Sequence, residues 1–326
     1  MKKNFWQKLQ TLRQAQGKPF FVLAPMADVT DSAFRRIVAK YGKPDVLWTE
    51  FVACDGLMHK DGQKKLLHNF EYTEKERPII AQVFGSNPEN FEKTARLVKK
   101  LGFDGIDINM GCPERNIQKQ GAGASLIKTP KLAREIILAT KKGAGTMPVS
   151  VKTRIGYNKN ELETWLPALL ETEPSAITLH SRTKKEMSDV PADWTQIKRA
   201  VEIRDAMKVK TLIIGNGDVK TLDEARVRAG ETGCDGVMIG RGIFGRPWLF
   251  AEKKEPSLEK RLAIMIEHTK LFEKLFKGVK NFAVMKKHFK AYVEGFPGAK
   301  ELRMKLMEAT NAKEVEKITK DFLLKK

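Results

Sequence analysis

Polar and reactive side chains stand at or just past the ends of short apolar runs along this chain. They are Pro25 and Met26, Gln82, Asn109 with Cys112, Lys152 with Arg154, His180 with Arg182, Asn216 with Gly217 and Asp218, and Gly240 with Arg241. A single lysine or histidine in such a run has an ordinary structural explanation. Seven such sets in one chain favour a functional site. In addition, an unpaired ammonium group such as that of Lys152 is costly to bury, which favours a functional reason for its position.

Two of these sets also carry glycines. The segments IIGNGDV (213–219) and MIGRGIFG (238–245) let a backbone approach a ligand closely, and Arg241 adds a cationic partner. In a parallel barrel, phosphate groups bind at the loops after the last two strands. The pattern therefore indicates a phosphate-bearing cofactor.

The apolar runs are the elements that must position these residues. Eight of them are rich in β-branched residues, and each is followed by a loop and a helical pattern: 20–26, 46–52, 79–85, 105–111, 149–156, 176–182, 211–217 and 236–242. Near-continuous apolar runs are typical of parallel strands buried on both faces. One helix is predicted with Ser86 or Asn87 as its N-cap, Pro88 in its first turn and Gly102 as its stop, and another starts at Thr129 and Pro130 and stops at Gly143.

Eight strand–helix units in about 235 residues fit a (β/α)8 TIM barrel, with the polar residues at the carboxyl ends of its strands. No GxGxxG follows the first strand, which disfavours a Rossmann fold. After Phe250 only helical patterns remain. We predict a basic N-terminal extension over 1–19, a barrel over 20–255 and a small helical bundle over 256–326.

Charge points to a polyanionic partner. The 326 residues contain 60 Lys and Arg against 40 Asp and Glu, for a net charge of +20, concentrated at both ends of the chain. The three cysteines lack CxxC spacing, so we expect neither disulfides nor a metal site, and we interpret Cys54 and Cys234 as buried apolar residues. No secretion signal or membrane-spanning run is evident, and we expect a cytoplasmic monomer.

The motifs resemble those of the tRNA-dihydrouridine synthases, most closely the bacterial B-type. The matching stretches are APMADVTDSAFR, QVFGSNP, GIDINMGCPERNIQKQGAGASLI, VKTRIGY, ITLHSRTK, PADW, IIGNGDV, GRGIFGRPW and KKHFKAYVEGFPGAKELR. They cover nearly the whole chain after residue 19. The NMGCP segment with its downstream GAG is the most specific of them.

The resemblance implies an FMN enzyme that uses NADPH or NADH to reduce uridines in tRNA to 5,6-dihydrouridine. It implies that Cys112 donates a proton to C5 of the base, that Asn109 contacts that base, and that Arg154 and Arg182 contact the RNA. The implied cofactor contacts are Pro25, Met26, Ala27, Gln82, Lys152, His180, Asn216, Gly217, Asp218, Gly240 and Arg241. A thiol with an ordinary pKa of about 8.5 is neutral at neutral pH, as a proton donor must be.

The basic tail is expected to bind RNA phosphates through Lys286, Lys287, Lys290, Arg303 and Lys305. Ser181 stands where the family usually has glycine, which affects the RNA-facing rim more than the flavin site. Three alternatives remain open at this point. They are a flavin barrel that acts on a small pyrimidine, a catalytically silent RNA-binding barrel, and the same reaction on ribosomal RNA.

Overall fold

The computed structural model describes residues 3–252 and 254–325. Its described part contains nine strands: β1 (Phe20–Leu23), β2 (Leu47–Trp48), β3 (Val52–Ala53), β4 (Ile79–Phe84), β5 (Gly105–Met110), β6 (Val149–Arg154), β7 (Ala176–His180), β8 (Leu212–Asn216) and β9 (Gly236–Ile239). All pair in parallel, in the order β1-β9-β8-β7-β6-β5-β4-β2. A bridge between Val22 and Val46 joins the two ends of this order. The predicted TIM barrel is confirmed.

The helices surround the barrel and continue beyond it. They are α1 (Phe5–Gln16), α2 (Ser32–Tyr41), α3 (Cys54–Met58), α4 (Lys60–Leu66), α5 (Pro88–Lys100), α6 (Arg115–Lys119), α7 (Pro130–Ala144), α8 (Leu162–Leu170), α9 (Thr195–Ala206), α10 (Leu222–Thr232), α11 (Leu258–Phe276), α12 (Val284–Tyr292), α13 (Ala299–Glu308) and α14 (Ala312–Leu323). The helical tail is thus confirmed. Across the ranges that the structure describes, no helix has the length and apolar character needed to span a bilayer.

Helix α1 packs against the end of the barrel at which the strands begin. Trp6 is only 2% exposed. Its ring centroid lies 5.7 Å from that of Phe20 and 6.0 Å from that of Trp48. A capping box between Asn4 and Gln7 starts the helix. The basic extension is therefore packed onto the barrel through an aromatic contact.

The predicted second strand over 46–52 is two short strands in the structure. Both β2 and β3 pair with β4, but the register shifts by one residue between them, from Trp48 opposite Ile80 to Val52 opposite Val83. This strand thus has one residue more than the segment of β4 that it faces, as in a β-bulge, and here the Thr49 Oγ1 accepts the Gln82 backbone N–H at 3.1 Å. A side-chain hydroxyl there replaces one backbone bond. The prediction of one continuous strand was wrong.

Gly143 does not stop α7, as the sequence suggested. The helix runs to Ala144, and Gly145, with φ of 62°, follows it. A Cβ on Gly143 would lie 2.1 Å from the Glu92 carbonyl oxygen of α5, so this glycine permits close helix packing. Thr129 holds the N-cap position without a side-chain bond. Asn87 caps α5 as predicted, accepting from the N–H groups of Glu89 and Asn90.

The helical tail packs on α2 of the barrel. Ala33, Ile37 and Trp248 share one apolar cluster with buried side chains of α11 to α14. At the centre of this contact lie His268 and His288, which are fully buried with ring centroids 4.7 Å apart. None of their four ring nitrogens has a hydrogen-bond partner. Burial lowers the pKa of His268 to about 3 and that of His288 well below its usual value.

These histidines predict a pH dependence of stability. The unfolded chain binds protons below pH about 6.5 that the folded chain does not, so stability is complete above that pH and falls as pH decreases toward about 3. We expect the free energy of unfolding to fall more steeply below pH about 6.5 in the wild type than in His268→Leu/His288→Leu. Urea unfolding at a series of pH values measures both slopes. Equal slopes would contradict the prediction.

Candidate active site

The strands alternate between inward and outward side chains, and this alternation collects the site. Outward residues such as Ile106, Ile108 and Val151 belong to the apolar core beneath the helices. The alternate positions at the carboxyl ends of the strands bear Gln82, Asn109, Lys152, His180 and Asn216. Asn109 is register partner of Lys152, and His180 of Asn216. The barrel therefore brings five predicted site residues to one end, as expected for this fold.

A chain of hydrogen bonds runs from a buried carboxylate to Cys112. Asp107 Oδ2 accepts from Gln82 Nε2 at 2.6 Å, and Gln82 Oε1 accepts from Asn109 Nδ2 at 3.2 Å. Asn109 Oδ1 in turn accepts the backbone N–H groups of Gly111 and Cys112 at 3.1 and 3.0 Å. Because a carboxylate only accepts, Asp107 sets the orientation of both amides. Asp107 is thus a site residue that sequence reasoning missed.

Asp107 has a second donor and an unusual acidity. Its Oδ1 accepts from Ser150 Oγ at 2.6 Å. Complete burial raises the pKa of Asp107 to about 6, against the opposing effect of these hydrogen bonds. Its inward position in GIDINM, two residues before Asn109, was the signal that could have found it. The Asp107 side chain therefore changes between its ionised and protonated forms close to physiological pH.

Cys112 lies in the loop after β5 and is half-buried. Its carbonyl accepts from the Ala124 N–H at 3.0 Å. A Cβ on Gly123, whose φ is 60°, would lie 2.8 Å from that carbonyl oxygen, so the GAG segment fits closely against the cysteine. Burial raises the pKa of the Cys112 thiol, which keeps it protonated at neutral pH. Cys54 and Cys234 are buried, as predicted.

Lys152 is a cation inside the barrel without a carboxylate partner. Its Nζ donates to Asn216 Oδ1 at 3.2 Å, and it forms no ion pair with any described residue. Asn216 Nδ2 is anchored on the Met238 carbonyl at 2.8 Å. Burial, followed by the charge of Arg154, lowers the pKa of Lys152 to about 8. Burial also holds the pKa of His180 well below its usual value, so its ring is neutral.

The loops after β8 and β9 meet at Asp218. Its carboxylate pairs with Arg182 and, at 2.9 Å, with Arg241, whose side chain is 63% exposed. Gly217 has φ of 144°, and a Cβ there would lie 2.6 Å from that of Ala192. The glycine at this turn is therefore required by both its backbone and its neighbour. Gly240 and Met26 lie close together at the ends of β9 and β1.

Two arginines predicted to contact RNA are buried among backbone carbonyls. Arg154 Nε donates to Gly111 O at 2.9 Å, and its Nη1 donates to Thr183 O and Met187 O at 3.0 and 3.2 Å. Arg182 donates to Val190 O at 2.6 Å besides its pair with Asp218. Their guanidinium groups face the protein and not the rim. These bonds hold the loops after β5 and β7 in place, and the contact of both arginines with RNA stays a prediction.

The predicted basic residues of the tail differ in exposure. Lys287, Lys290 and Lys305 are exposed, and Lys286 is half-buried. Arg303 donates to the Val293 carbonyl at 2.7 Å, so part of its guanidinium group is engaged within the tail. None of the five has a described contact with the residues at the carboxyl ends of the strands. They form a separate surface.

Lys280, which sequence reasoning passed over, links the tail to the site. It lies between α11 and α12, and its Nζ bonds Glu50 Oε2 at 2.7 Å. Both side chains are largely buried, at 12% and 9% exposure. Glu50 Oε1 also accepts the Asp28 N–H at 2.5 Å, in the loop after β1. The tail is thereby attached beside the loops that follow β1 and β2.

A cavity of about 610 Å³ lies at the opposite end of the barrel, against α1. Its lining includes Arg13, Asp45, Arg226 and Glu252, and none of the predicted site residues. Catalytic residues of such barrels lie at the carboxyl ends of the strands. The candidate active site is therefore the end of the barrel that holds Cys112 and Lys152, and not this cavity. Among the described residues, no cluster of three or more His, Cys, Asp or Glu could hold a metal ion.

Solved structures similar to this chain share its fold at low sequence identity. Histamine dehydrogenase from Rhizobium sp. 4-9 matches with a TM-score of 0.52 and 13% identity, over 77% of this chain and 48% of that one. Morphinone reductase matches with a TM-score of 0.51 and 12% identity, over 71% of this chain and 84% of that one. These matches support the barrel architecture.

Sequence relatives match over almost the whole chain. A Staphylococcus aureus protein named "Probable tRNA-dihydrouridine synthase" is 41% identical over 99% of this chain and 96% of its own length. Bacillus subtilis "Probable tRNA-dihydrouridine synthase 2" is 41% identical over 99% and 97%. The family model described as dihydrouridine synthase matches residues 22–326. The chain therefore belongs to the dihydrouridine synthase family.

Proposed function

We propose that this protein reduces uridines of tRNA to 5,6-dihydrouridine with bound FMN, using NADPH or NADH as the reductant. The names of its relatives and its family support the reaction and the RNA. One observation of the structure carries the proposal: a neutral thiol is held beside a half-buried lysine that forms no ion pair with a described residue, at the carboxyl ends of barrel strands. Cys112, as a proton donor, thus lies next to Lys152, a cation that can stabilise an electron-rich ring.

The residues present fit a flavin. Lys152 has hydrogen-bonding capacity beyond Asn216 and no carboxylate, which suits the oxygen-bearing edge of an isoalloxazine ring. Exposed Arg241, at the loops after β8 and β9, suits the phosphate. The proposed cofactor contacts are Pro25, Met26, Ala27, Gln82, Lys152, His180, Asn216, Gly217, Asp218, Gly240 and Arg241.

When bound, the flavin supplies the hydride that reduces C6 of the uracil ring. Negative charge then develops on the base, and Cys112 Sγ donates its proton to C5. Asn109 holds the Cys112 N–H and lies where it can contact the same base. Arg154, bonded to the Gly111 carbonyl, steadies the loop from the other side. Asn109 and Arg154 thereby position the Cys112 thiol without themselves taking part in the reaction.

A uridine can reach this site only after leaving the RNA stack. We propose that the helical tail over 256–326 binds the tRNA that presents it. The ion pair of Lys280 with Glu50 fixes the tail beside the barrel loops. Lys286, Lys287, Lys290, Arg303 and Lys305 supply positive charge on that tail for the phosphates.

The acid assignment predicts the behaviour of Cys112→Ala. The variant should keep its bound flavin and oxidise NADPH, because Cys112 does not transfer hydride. Its rate of dihydrouridine formation on unmodified tRNA should fall by about 10² to 10⁴-fold, the usual contribution of a general acid. Mass spectrometry of the RNA measures this rate. Cys234→Ala, which removes a thiol far from the site, is the control, and a normal rate in Cys112→Ala would refute the assignment.

The hydrogen-bond chain predicts the effect of Asp107→Asn. An amide at 107 can donate where the carboxylate accepts, so Gln82 and Asn109 lose their fixed orientation and the Cys112 N–H loses its acceptor. A misplaced polar group costs about 1–3 kcal/mol, which corresponds to a fall in kcat of roughly 5- to 160-fold.

The pH profile separates this effect from a general loss of structure. Wild-type kcat should fall as pH decreases through about 6, where Asp107 becomes protonated, and that acidic limb should be absent in Asp107→Asn. Flavin content is the control for folding. An unchanged acidic limb in the variant would contradict a role for Asp107 ionisation.

The tail predicts a change in salt dependence. Lys286→Gln/Lys287→Gln/Lys290→Gln should weaken tRNA binding and flatten the plot of log Kd against log salt by roughly 1 for each phosphate that the variant no longer binds. Lys100→Gln/Lys208→Gln/Lys210→Gln changes the charge equally at the other end of the barrel and should leave the slope intact. If both triple variants show the wild-type slope, the tail surface does not bind the RNA.

A further inference from the structure

Three consecutive loops at the carboxyl end of the barrel converge on Tyr157. Lys128 ends the segment after β5, Tyr157 follows β6, and Lys184 follows β7. The Lys128 Nζ lies 4.5 Å from the centroid of the Tyr157 ring, and the Lys184 Nζ lies 5.1 Å from it. Two cations from different loops therefore share one aromatic ring, which attracts each of them.

Neither ammonium group is neutralised by the protein. Lys128 and Lys184 form no ion pair with a residue in 3–252 or 254–325. The neighbouring carboxylates of Glu161 and Glu186 accept backbone N–H groups instead, from Tyr157 at 2.8 Å and Thr183 at 2.6 Å. The two cations lie at most about 10 Å apart, a distance over which salt screens repulsion incompletely. An anion bound close to both ammonium groups would relieve that repulsion.

This cation pair is tied to the Cys112 loop. Tyr157 Oη donates to Gln118 Oε1 at 2.6 Å, and Gln118 Nε2 donates to the carbonyl of Pro113. Pro113 directly follows Cys112 in the chain. The backbone N–H of Lys184 also donates to the Gly156 carbonyl at 2.9 Å, beside Tyr157. An anion bound here would therefore be held at a fixed position relative to the Cys112 thiol.

We propose that Lys128, Tyr157 and Lys184, here called the Tyr157 clamp, bind a phosphodiester group of the substrate RNA next to the uridine delivered to Cys112. The inference rests on the proposed function and assigns a binding site to it. A nucleotide turned out of its stack brings its flanking phosphates to the rim of the site. Strand order places the clamp over the loops after β5, β6 and β7, whereas the proposed cofactor phosphate site lies at the loops after β8 and β9.

The test compares Lys128→Gln/Lys184→Gln with Lys208→Gln/Lys210→Gln, both as full-length flavin-loaded protein. The control pair is exposed, carries the same charge change and lies before β8, at the other end of the barrel. We expect the clamp variant to raise the KM for unmodified tRNA about 10-fold and to lower the slope of log Kd against log salt by roughly 1. Tyr157→Leu should also raise this KM, whereas Tyr157→Phe, which keeps the ring, should raise it less.

The reductive half-reaction distinguishes the two phosphate sources, because NADPH also carries phosphate. The rate and NADPH dependence of flavin reduction without RNA should match the wild type in the clamp variant. If flavin reduction weakens while the KM for tRNA stays normal, the clamp binds the dinucleotide and the proposal is wrong. If clamp and control variants have equal salt slopes and KM values, no phosphate binds there. Absence of dihydrouridine with the wild type would instead refute the proposed function.

Discussion

The orientation of the Cys112 loop depends on one buried carboxylate inside the barrel. Asp107 accepts hydrogen bonds from Gln82 and Ser150 on the two neighbouring strands, and so joins β4, β5 and β6 below the site. Because the carboxylate only accepts hydrogen bonds, it fixes the orientation of the Gln82 amide and, through it, of the Asn109 amide, which accepts the Cys112 N–H. A shift of register by one residue on any of these strands would turn its polar residue outward and break the chain.

The interior of the barrel is polar because of its function, at a cost to stability. Lys152 donates to an amide and forms no ion pair with a described residue, and His180 is kept neutral nearby. An unpaired buried cation destabilises a fold. The lower, aromatic layer formed by Trp6, Phe20 and Trp48 provides the apolar burial that offsets this cost at the other end of the same barrel. Chemistry and stability are thus separated along the barrel axis.

The barrel could be predicted from sequence because its strands are nearly continuous apolar runs with regular spacing. The site could be located because polar residues at alternate strand positions contradict that pattern. Asp107 was missed because a single acid within an apolar strand gives no sign of its partners on other strands. Arg154 was assigned to RNA because charge alone does not show that backbone carbonyls surround it.

The corrections in the fold have the same origin. A one-residue shift of register against β4 divided the second strand, and contact with Glu92 gave Gly143 a packing role within a helix. Both depend on residues distant in sequence. Local propensity cannot encode such contacts, whereas the eight-fold alternation of strands and helices is visible within short windows.

The most direct test of this account is to map modified uridines. Full-length flavin-loaded protein and NADPH would be given to total RNA from a strain that lacks dihydrouridine, and the products would be sequenced at single-nucleotide resolution. We predict dihydrouridine at a small number of defined tRNA positions and none in ribosomal RNA or free uridine. Reduction of free pyrimidines, or of ribosomal RNA alone, would contradict the account.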